Sequence, residues 1–290
     1  MDYQQLEANN MTFSYLEMGP RNGPLALCLH GFPDAPQTWR HLLPRLAKAG
    51  YHAVAPAMRG YAPSDLAPDG GYQVGALSSD ANAIHAALGG DGDAVLIGHD
   101  WGAAACYGAI NSAPRRWSKA VAMAVPPFAA VATSFLTFDQ LQRSWYMFFF
   151  QNALADVVVT MNDCEFIDRL WADWSPGFDA TEDLGYVKAC IGSDERMQAA
   201  LGYYRAMFDE TRHVTSYAAE QEALMAPGTV PTLYLHGRQD GCFSLEAAGD
   251  PTPFLGEGSS MQIIEDAGHF VHLEQPEVVN DAVINFLTVS

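Results

Sequence analysis

The sequence predicts an α/β fold, a mostly parallel sheet between two layers of helices and interrupted by one inserted helical segment. Three observations carry this. Short, nearly uninterrupted apolar runs recur at residues 25–29, 51–55, 94–97, 120–125, 232–235 and 261–264, as expected of strands covered on both faces, and stretches of helical spacing separate them. Between Pro126-Pro127 and the loop around Pro227-Gly228 the strand signal gives way to aromatic-rich segments with helical periodicity. Finally, reactive residue types cluster directly after four of the runs, at the strand ends where such sheets bind ligands.

The elements follow in order. After Asn9-Asn10, the partly alternating Met11-Thr12-Phe13-Ser14-Tyr15-Leu16 reads as half of an antiparallel strand pair at the sheet edge. The apolar runs then build the core, assigned to residues 1–126 and 225–290, and residues 127–224 are expected to form a helical cap. Its aromatics include Phe135, Phe138, Trp145, Phe148, Trp171, Trp174 and Phe208. Most are expected to pack the cap's own interior and a minority to face a ligand.

At 290 residues and 49% hydrophobic the chain can bury a large core. The stretch Met1-Asp2-Tyr3-Gln4-Gln5 has no basic region followed by an apolar one, and no run is long enough to span a bilayer. A soluble, cytoplasmic protein is the expectation. Five scattered cysteines with no Cys-x-x-Cys pair indicate neither a disulfide framework nor a zinc site, and read as buried thiols. A net charge of −19 argues against binding to nucleic acid or anionic membrane. No motif fixes an oligomeric state.

The most informative segment is Gly98-His99-Asp100-Trp101-Gly102. A buried strand precedes it and a helix start follows, the context of a nucleophile elbow, with a carboxylate where such turns commonly carry serine. The simpler reading is that Asp100 caps the following helix. Company elsewhere favours chemistry. After the other strand ends come His30-Gly31-Phe32-Pro33, His236-Gly237-Arg238-Gln239-Asp240 and Glu265-Asp266-Ala267-Gly268-His269. Asp100, Asp240 and His269 thus follow in the order nucleophile, acid, histidine. His269 is preferred as base over His272, expected at the start of a helix, and His30 is read as a loop-packing residue. A metal site of His269, His272 and Glu274 lacks a further strong ligand motif.

Together, His30-Gly31-Phe32-Pro33, Arg59-Gly60-Tyr61-Ala62-Pro63-Ser64, Gly98-His99-Asp100-Trp101-Gly102 and Gly268-His269 resemble the epoxide hydrolase branch of the α/β-hydrolase superfamily, over essentially the whole chain. The resemblance implies the α/β-hydrolase fold with a cap. It implies oxyanion donors at the backbone amides of Phe32 and Trp101. It also implies two cap phenols: Tyr146, in Trp145-Tyr146-Met147-Phe148-Phe149-Phe150-Gln151, and Tyr204, before Arg205. Phe32, Trp101, Tyr146 and Tyr204 would contact substrate. Asn152-Ala153-Leu154-Ala155 departs from the Pro-Gly that often follows the first motif.

The chemistry suits an aspartate. With an ordinary pKa of about 3.9 it is ionised at neutral pH and needs no base in order to attack. Attack on a saturated carbon bearing a leaving group gives a stable alkyl ester, which His269, held by Asp240, would hydrolyse by activating water. An epoxide oxygen leaving as alkoxide profits from an uncharged phenolic donor, whereas a halide needs N–H donors such as indoles. The expected reaction is therefore hydrolysis of a small apolar epoxide to a vicinal diol by water, needing neither cofactor nor metal. Haloalkane dehalogenase is the nearest alternative, supported by Trp101, Trp145, Trp171 and Trp174, but Phe32 stands where those relatives commonly carry asparagine. Fluoroacetate-type activity lacks the arginine after the nucleophile, and a serine esterase lacks its Gly-x-Ser-x-Gly. A binding protein without turnover would not need the full set of reactive side chains.

Overall fold

The computed structural model describes residues 2–288. Its strands are β1 (Gln4–Ala8), β2 (Met11–Met18), β3 (Leu25–Leu29), β4 (His52–Pro56), β5 (Val95–His99), β6 (Lys119–Met123), β7 (Thr232–Gly237) and β8 (Ser260–Ile264). They make one sheet in the order β1-β2-β4-β3-β5-β6-β7-β8. The first two form the antiparallel edge hairpin expected from the N-terminal pattern, and β3 to β8 are parallel.

The apolar runs fold as they do because both faces of the central strands are covered. Leu25, Leu27 and Leu29 of β3 join one apolar cluster while Ala26 and Cys28 join another on the opposite face, the two-residue alternation of a strand. The last strand departs from expectation. Along β8 exposed and partly buried residues alternate before the buried Ile264, because β8 pairs only with β7 at the sheet edge. The ladders also carry β5 and β7 beyond their apolar runs, through His99↔Met123 and Gly237↔Ile264. Polar residues are thereby held in ladder geometry next to the loops that carry the chemistry.

The first three α-helices are α1 (Leu43–Lys48), α2 (Val74–Ala87) and α3 (Trp101–Ser112). Helix α3 is buried at every position through Ile110, and its run of Gly and Ala lets it lie close to the sheet and to α2. After β6 the chain is helical, through Phe128–Val131, Phe138–Arg143, Trp145–Phe149, Ala155–Val158, Met161–Trp174, Thr181–Ile191, Asp194–Phe208 and Ala218–Ala223. The last of these packs against α2 and α3. The Arg59 motif ties helix Asp194–Phe208 to the core. Arg59 is buried and donates from Nε and Nη2 to the two carboxylate oxygens of Asp80, each at 2.6 Å, while its carbonyl accepts from the Tyr203 hydroxyl at 2.8 Å. No helix among the described residues is long and apolar enough to cross a membrane.

Candidate active site

Asp100 links β5 to α3 with φ 53° and ψ −119°, a backbone region that non-glycine residues occupy only at a cost of about 1–3 kcal/mol. Close packing enforces the turn. A Cβ on Gly102 would run into the Leu29 carbonyl, and one on Gly31 would run into the Asp100 carboxylate. Asp100 makes no side-chain cap to α3, so helix capping does not account for it. Its Oδ1 instead accepts a 2.7 Å hydrogen bond from the Phe32 amide, and its Oδ2 lies 3.6 Å from Nε2 of His269. The two oxygens are thus distinguished, one held by a backbone donor and the other facing the imidazole. The Trp101 amide opens α3 beside them, where the first-turn N–H groups have no intrahelical acceptor.

His269 Nδ1 is 3.0 Å from Asp240 Oδ2. The other Asp240 oxygen accepts from the amides of Cys242 (2.8 Å) and Phe243 (2.9 Å). Burial alone would raise the Asp240 pKa, but His269, His236 and the Phe243 amide hold it below the ordinary carboxylate value. It stays anionic and fixes the proton on Nδ1 of His269. Burial pushes His269 down, yet Asp240 and Asp100 outweigh it and raise its pKa from 6.5 to about 10. At neutral pH the resting site therefore holds an imidazolium between two carboxylates. Its Nε2 is buried and makes no hydrogen bond.

Helix Phe138–Arg143 and its successor fasten the loop that carries Asp240. Gln140 donates to the Cys242 carbonyl at 3.0 Å and accepts from the Ser244 amide at 2.9 Å, and Arg143 donates to the Asp240 carbonyl at 3.1 Å. The histidine loop is held from helix Met161–Trp174: the His269 amide donates to the Trp174 carbonyl (3.0 Å) and to Ser175 Oγ (3.1 Å).

The two phenols differ. Tyr204 is fully buried, its hydroxyl makes no hydrogen bond, and its ring meets Trp101 and Phe32 edge-on at 4.9 and 5.2 Å between centroids. The Tyr146 hydroxyl is 3.3 Å from Sγ of Cys242. Burial first, then Asp100 for Tyr204 and Cys242 for Tyr146, raises both phenols well above 10, so both are proton donors at neutral pH. A cavity of about 300 Å³ opens over the elbow, lined by Asp100, Trp101, Tyr204 and Cys242 at its base and by Phe128, Val131, Phe135, Met147, Met207, Met225 and Phe243 around it. Phe32 and Tyr146 are not in the lining. The Phe32 amide is on Asp100 and the Tyr146 ring lies 5.7 Å from that of Tyr204, between centroids.

Other expectations resolve as follows. His272 sits in helix Val271–Glu274, 2.5 Å from Thr38 Oγ1, and Glu274 accepts from Ser175, Gly268 and Phe270, so those residues do not converge with His269 on a metal. His30 is buried and accepts from the Met58 amide at 3.0 Å, a loop-packing role. Phe138, Trp145, Phe148 and Phe208 are exposed rather than interior: the first three sit on short helices that offer only one face to the rest of the chain, and Phe208 is the last residue of its helix. Sequence reasoning missed Cys242 as a cavity residue and Gln140 as the clamp of the acid loop. Only the offset of two from Asp240 could have flagged Cys242.

The model of the alpha/beta hydrolase fold family matches residues 24–276. This chain belongs to that family. Among curated proteins the hydrolase is similar to epoxide hydrolase 1 of Caenorhabditis elegans, with 27% identity over 99% of this chain and 70% of that protein. It is also similar to epoxide hydrolase 4 of Mus musculus, with 29% identity over 98% of this chain and 79% of that protein. In three dimensions it resembles the crystal structure of a Bacillus megaterium epoxide hydrolase in complex with an inhibitor, with 25% identity, coverage of 99% of this chain and 100% of that one, and a TM-score of 0.81. The branch suggested by the four motifs is the branch in which its relatives fall.

Proposed function

We propose that this hydrolase opens a small apolar epoxide to a vicinal diol through an alkyl ester on Asp100, with residues 127–224 acting as the cap over the site. The observation that carries the reading is that the Asp100 carboxylate and the unpartnered Tyr204 phenol face one apolar cavity, with His269 and Asp240 behind the carboxylate. In the first step Oδ2 of Asp100 attacks a ring carbon and the C–O bond breaks. The departing oxygen takes the phenolic proton of Tyr204, assisted by Tyr146, and the resulting phenolate regains a proton from solvent before the next turnover. Oδ1 stays on the Phe32 amide and becomes the carbonyl oxygen of the ester.

Alkylation then changes the base. The ester is neutral, so Asp100 no longer stabilises the imidazolium, and His269 releases its Nε2 proton to solvent, balancing the one that the phenolate takes up. The neutral ring takes a proton from water as that water adds to the ester carbonyl. The oxyanion forming on Oδ1 is already against the Phe32 amide, with the Trp101 amide adjacent. As the intermediate collapses, His269 returns its proton to the leaving alcohol oxygen, the diol departs, and the acid left on Asp100 passes its proton to His269, restoring the carboxylate and the imidazolium. Among the described residues no lysine or arginine lines the cavity, which suits an uncharged substrate.

One observation favours the dehalogenase alternative: the Trp101 indole N–H is buried and makes no hydrogen bond, and an indole N–H can hold a halide. A paired assay with a styrene-type epoxide and a dihaloalkane separates the two, diol without halide release being the expected result. Single turnover in heavy-oxygen water tests the covalent step. The first diol should carry a light oxygen from Asp100, and heavy label in that first product overturns attack by the carboxylate.

A further inference from the structure

The floor of the cavity holds a thiol that the hydrolytic reaction does not use. A carboxylate oxygen of Asp100, Sγ of Cys242 and a ring nitrogen of His269 lie within 4.8 Å of one another, and all three residues are buried. They come from three separate strand-end loops, so their convergence is set by the sheet and not by local sequence. Among ring nitrogens, Nδ1 of His269 is engaged by Asp240, whereas Nε2 is buried and faces Asp100 Oδ2 at 3.6 Å. The polar neighbour of the thiol is the Tyr146 hydroxyl at 3.3 Å.

We infer that Asp100, Cys242 and His269 form a binding site for a soft divalent cation of the zinc type, and that occupancy silences the hydrolase reversibly. Zinc bonded to thiolate sulfur at about 2.3 Å and to imidazole nitrogen or carboxylate oxygen at about 2.0–2.1 Å places its tetrahedral ligands roughly 3.3–3.7 Å apart. The 3.6 Å between Asp100 and His269 already meets that spacing, and the remaining pairs require about 1 Å of side-chain movement. A sulfur, nitrogen and oxygen donor set selects zinc-like ions over magnesium or calcium, which prefer oxygen alone. Charge favours the ion as well. A thiolate, a carboxylate and a neutral imidazole around a dication sum to zero, which suits an apolar cavity. Binding displaces one proton from the Cys242 thiol and one from the His269 imidazolium. Asp240, on the far ring nitrogen, supplies the carboxylate–histidine support that metal-bound imidazoles usually have. The bound ion would occupy the attacking oxygen and the base nitrogen together, so neither half of the reaction could proceed.

The test uses the full chain and reads binding, so it stands apart from the epoxide reading. Cobalt(II) alone, added as a zinc surrogate, should bind one equivalent and give a thiolate-to-cobalt charge-transfer band in the near ultraviolet. Zinc should displace it and a chelator should abolish it. Cys242→Ser should lose the band and weaken zinc binding, measured calorimetrically, at least tenfold or about 1.4 kcal/mol. Asp100→Asn should keep the band but weaken binding. Circular dichroism establishes that each variant is folded, and should Cys242→Ser not fold, Cys242→Ala and Asp100→Asn carry the same contrast. Cobalt binding without the band, or zinc binding unaltered in both Cys242→Ser and Asp100→Asn, overturns the proposal.

Discussion

Replacing Asp100 by Asn gives a neutral isostere of the proposed ester and should lower the pKa of His269, so that more of the ring is unprotonated and free to accept a proton from water at neutral pH. The facing atoms are 3.6 Å apart, so a full charge on Asp100 favours the imidazolium by about 5 kcal/mol at an effective dielectric of ~20. Asp240, at 3.0 Å, is untouched by the change. The wild-type ring titrates at about 10, raised against burial by Asp240 and Asp100 together, and 1.36 kcal/mol corresponds to about one pH unit. The energy of one carboxylate thus bounds the effect at roughly three pH units, and the Asn variant should titrate lower by at least one. Nitrogen-15 NMR of the labelled imidazole reads this directly, since the Nε2 shift reports protonation. The sign matters more than the size. If His269 titrates at the same pH in Asp100→Asn as in wild type, the ester does not release the base, and the coupling of the two half-reactions argued above is wrong.

The two phenols should separate under substitution. Tyr204→Phe removes the unpartnered hydroxyl in the cavity wall and should lower kcat/KM for an epoxide by about 10²-fold or more, the scale of losing one oxyanion donor, whereas Tyr146→Phe, whose hydroxyl leans on Cys242, should cost roughly tenfold, and equal losses would refute the division of labour. Stability should peak near neutrality. His272, His30 and His236 are held neutral by burial, with pKa values below 6.5. The unfolded chain therefore binds more protons below 6.5, and each such group loses about 1.4 kcal/mol of stability per pH unit as the pH falls toward its folded value. His269 has the opposite sign: its contribution is complete below 6.5 and is lost as the pH rises through about 10. Thermal unfolding at pH 5.5, 7 and 9 should give the highest Tm at 7, and an unchanged Tm at 5.5 would show that these histidines do not resist protonation.

How much of this was legible in the sequence depends on whether a residue's role is local. The elbow was readable because its signal is contiguous: an apolar strand, a carboxylate between glycines, then a helix of small residues. The convergence of Asp100, Asp240 and His269 was readable because an open α/β sheet delivers each strand end to one edge, so chain order stands in for geometry. Strand ends were read short at His99 and Gly237, where polar or glycine residues stay in register because their neighbours do. The edge strand β8 was read as fully covered because an apolar run does not reveal which strand is outermost.

The helical segment between β6 and β7 was legible only in outline, for a physical reason. Its helices, several of them short, pack on more than one side, so an aromatic at helical spacing can equally meet the core, the cavity or solvent. Phe150 is fully buried, Phe149 partly buried and Phe148 exposed, in three consecutive positions. The same ambiguity hid Cys242. A lone cysteine among five buried ones carries no sequence signal. What brings it beside the nucleophile is the Asp240 turn, in which the Cys242 and Phe243 amides point at the carboxylate and so direct the Cys242 side chain toward the cavity. The hydrogen bonds that keep Asp240 anionic are the ones that place a thiol near the Asp100 carboxylate. Any residue two positions after Asp240 in this turn inherits that view of the reaction. Substitution at position 242 should therefore alter substrate selection even where the triad is untouched.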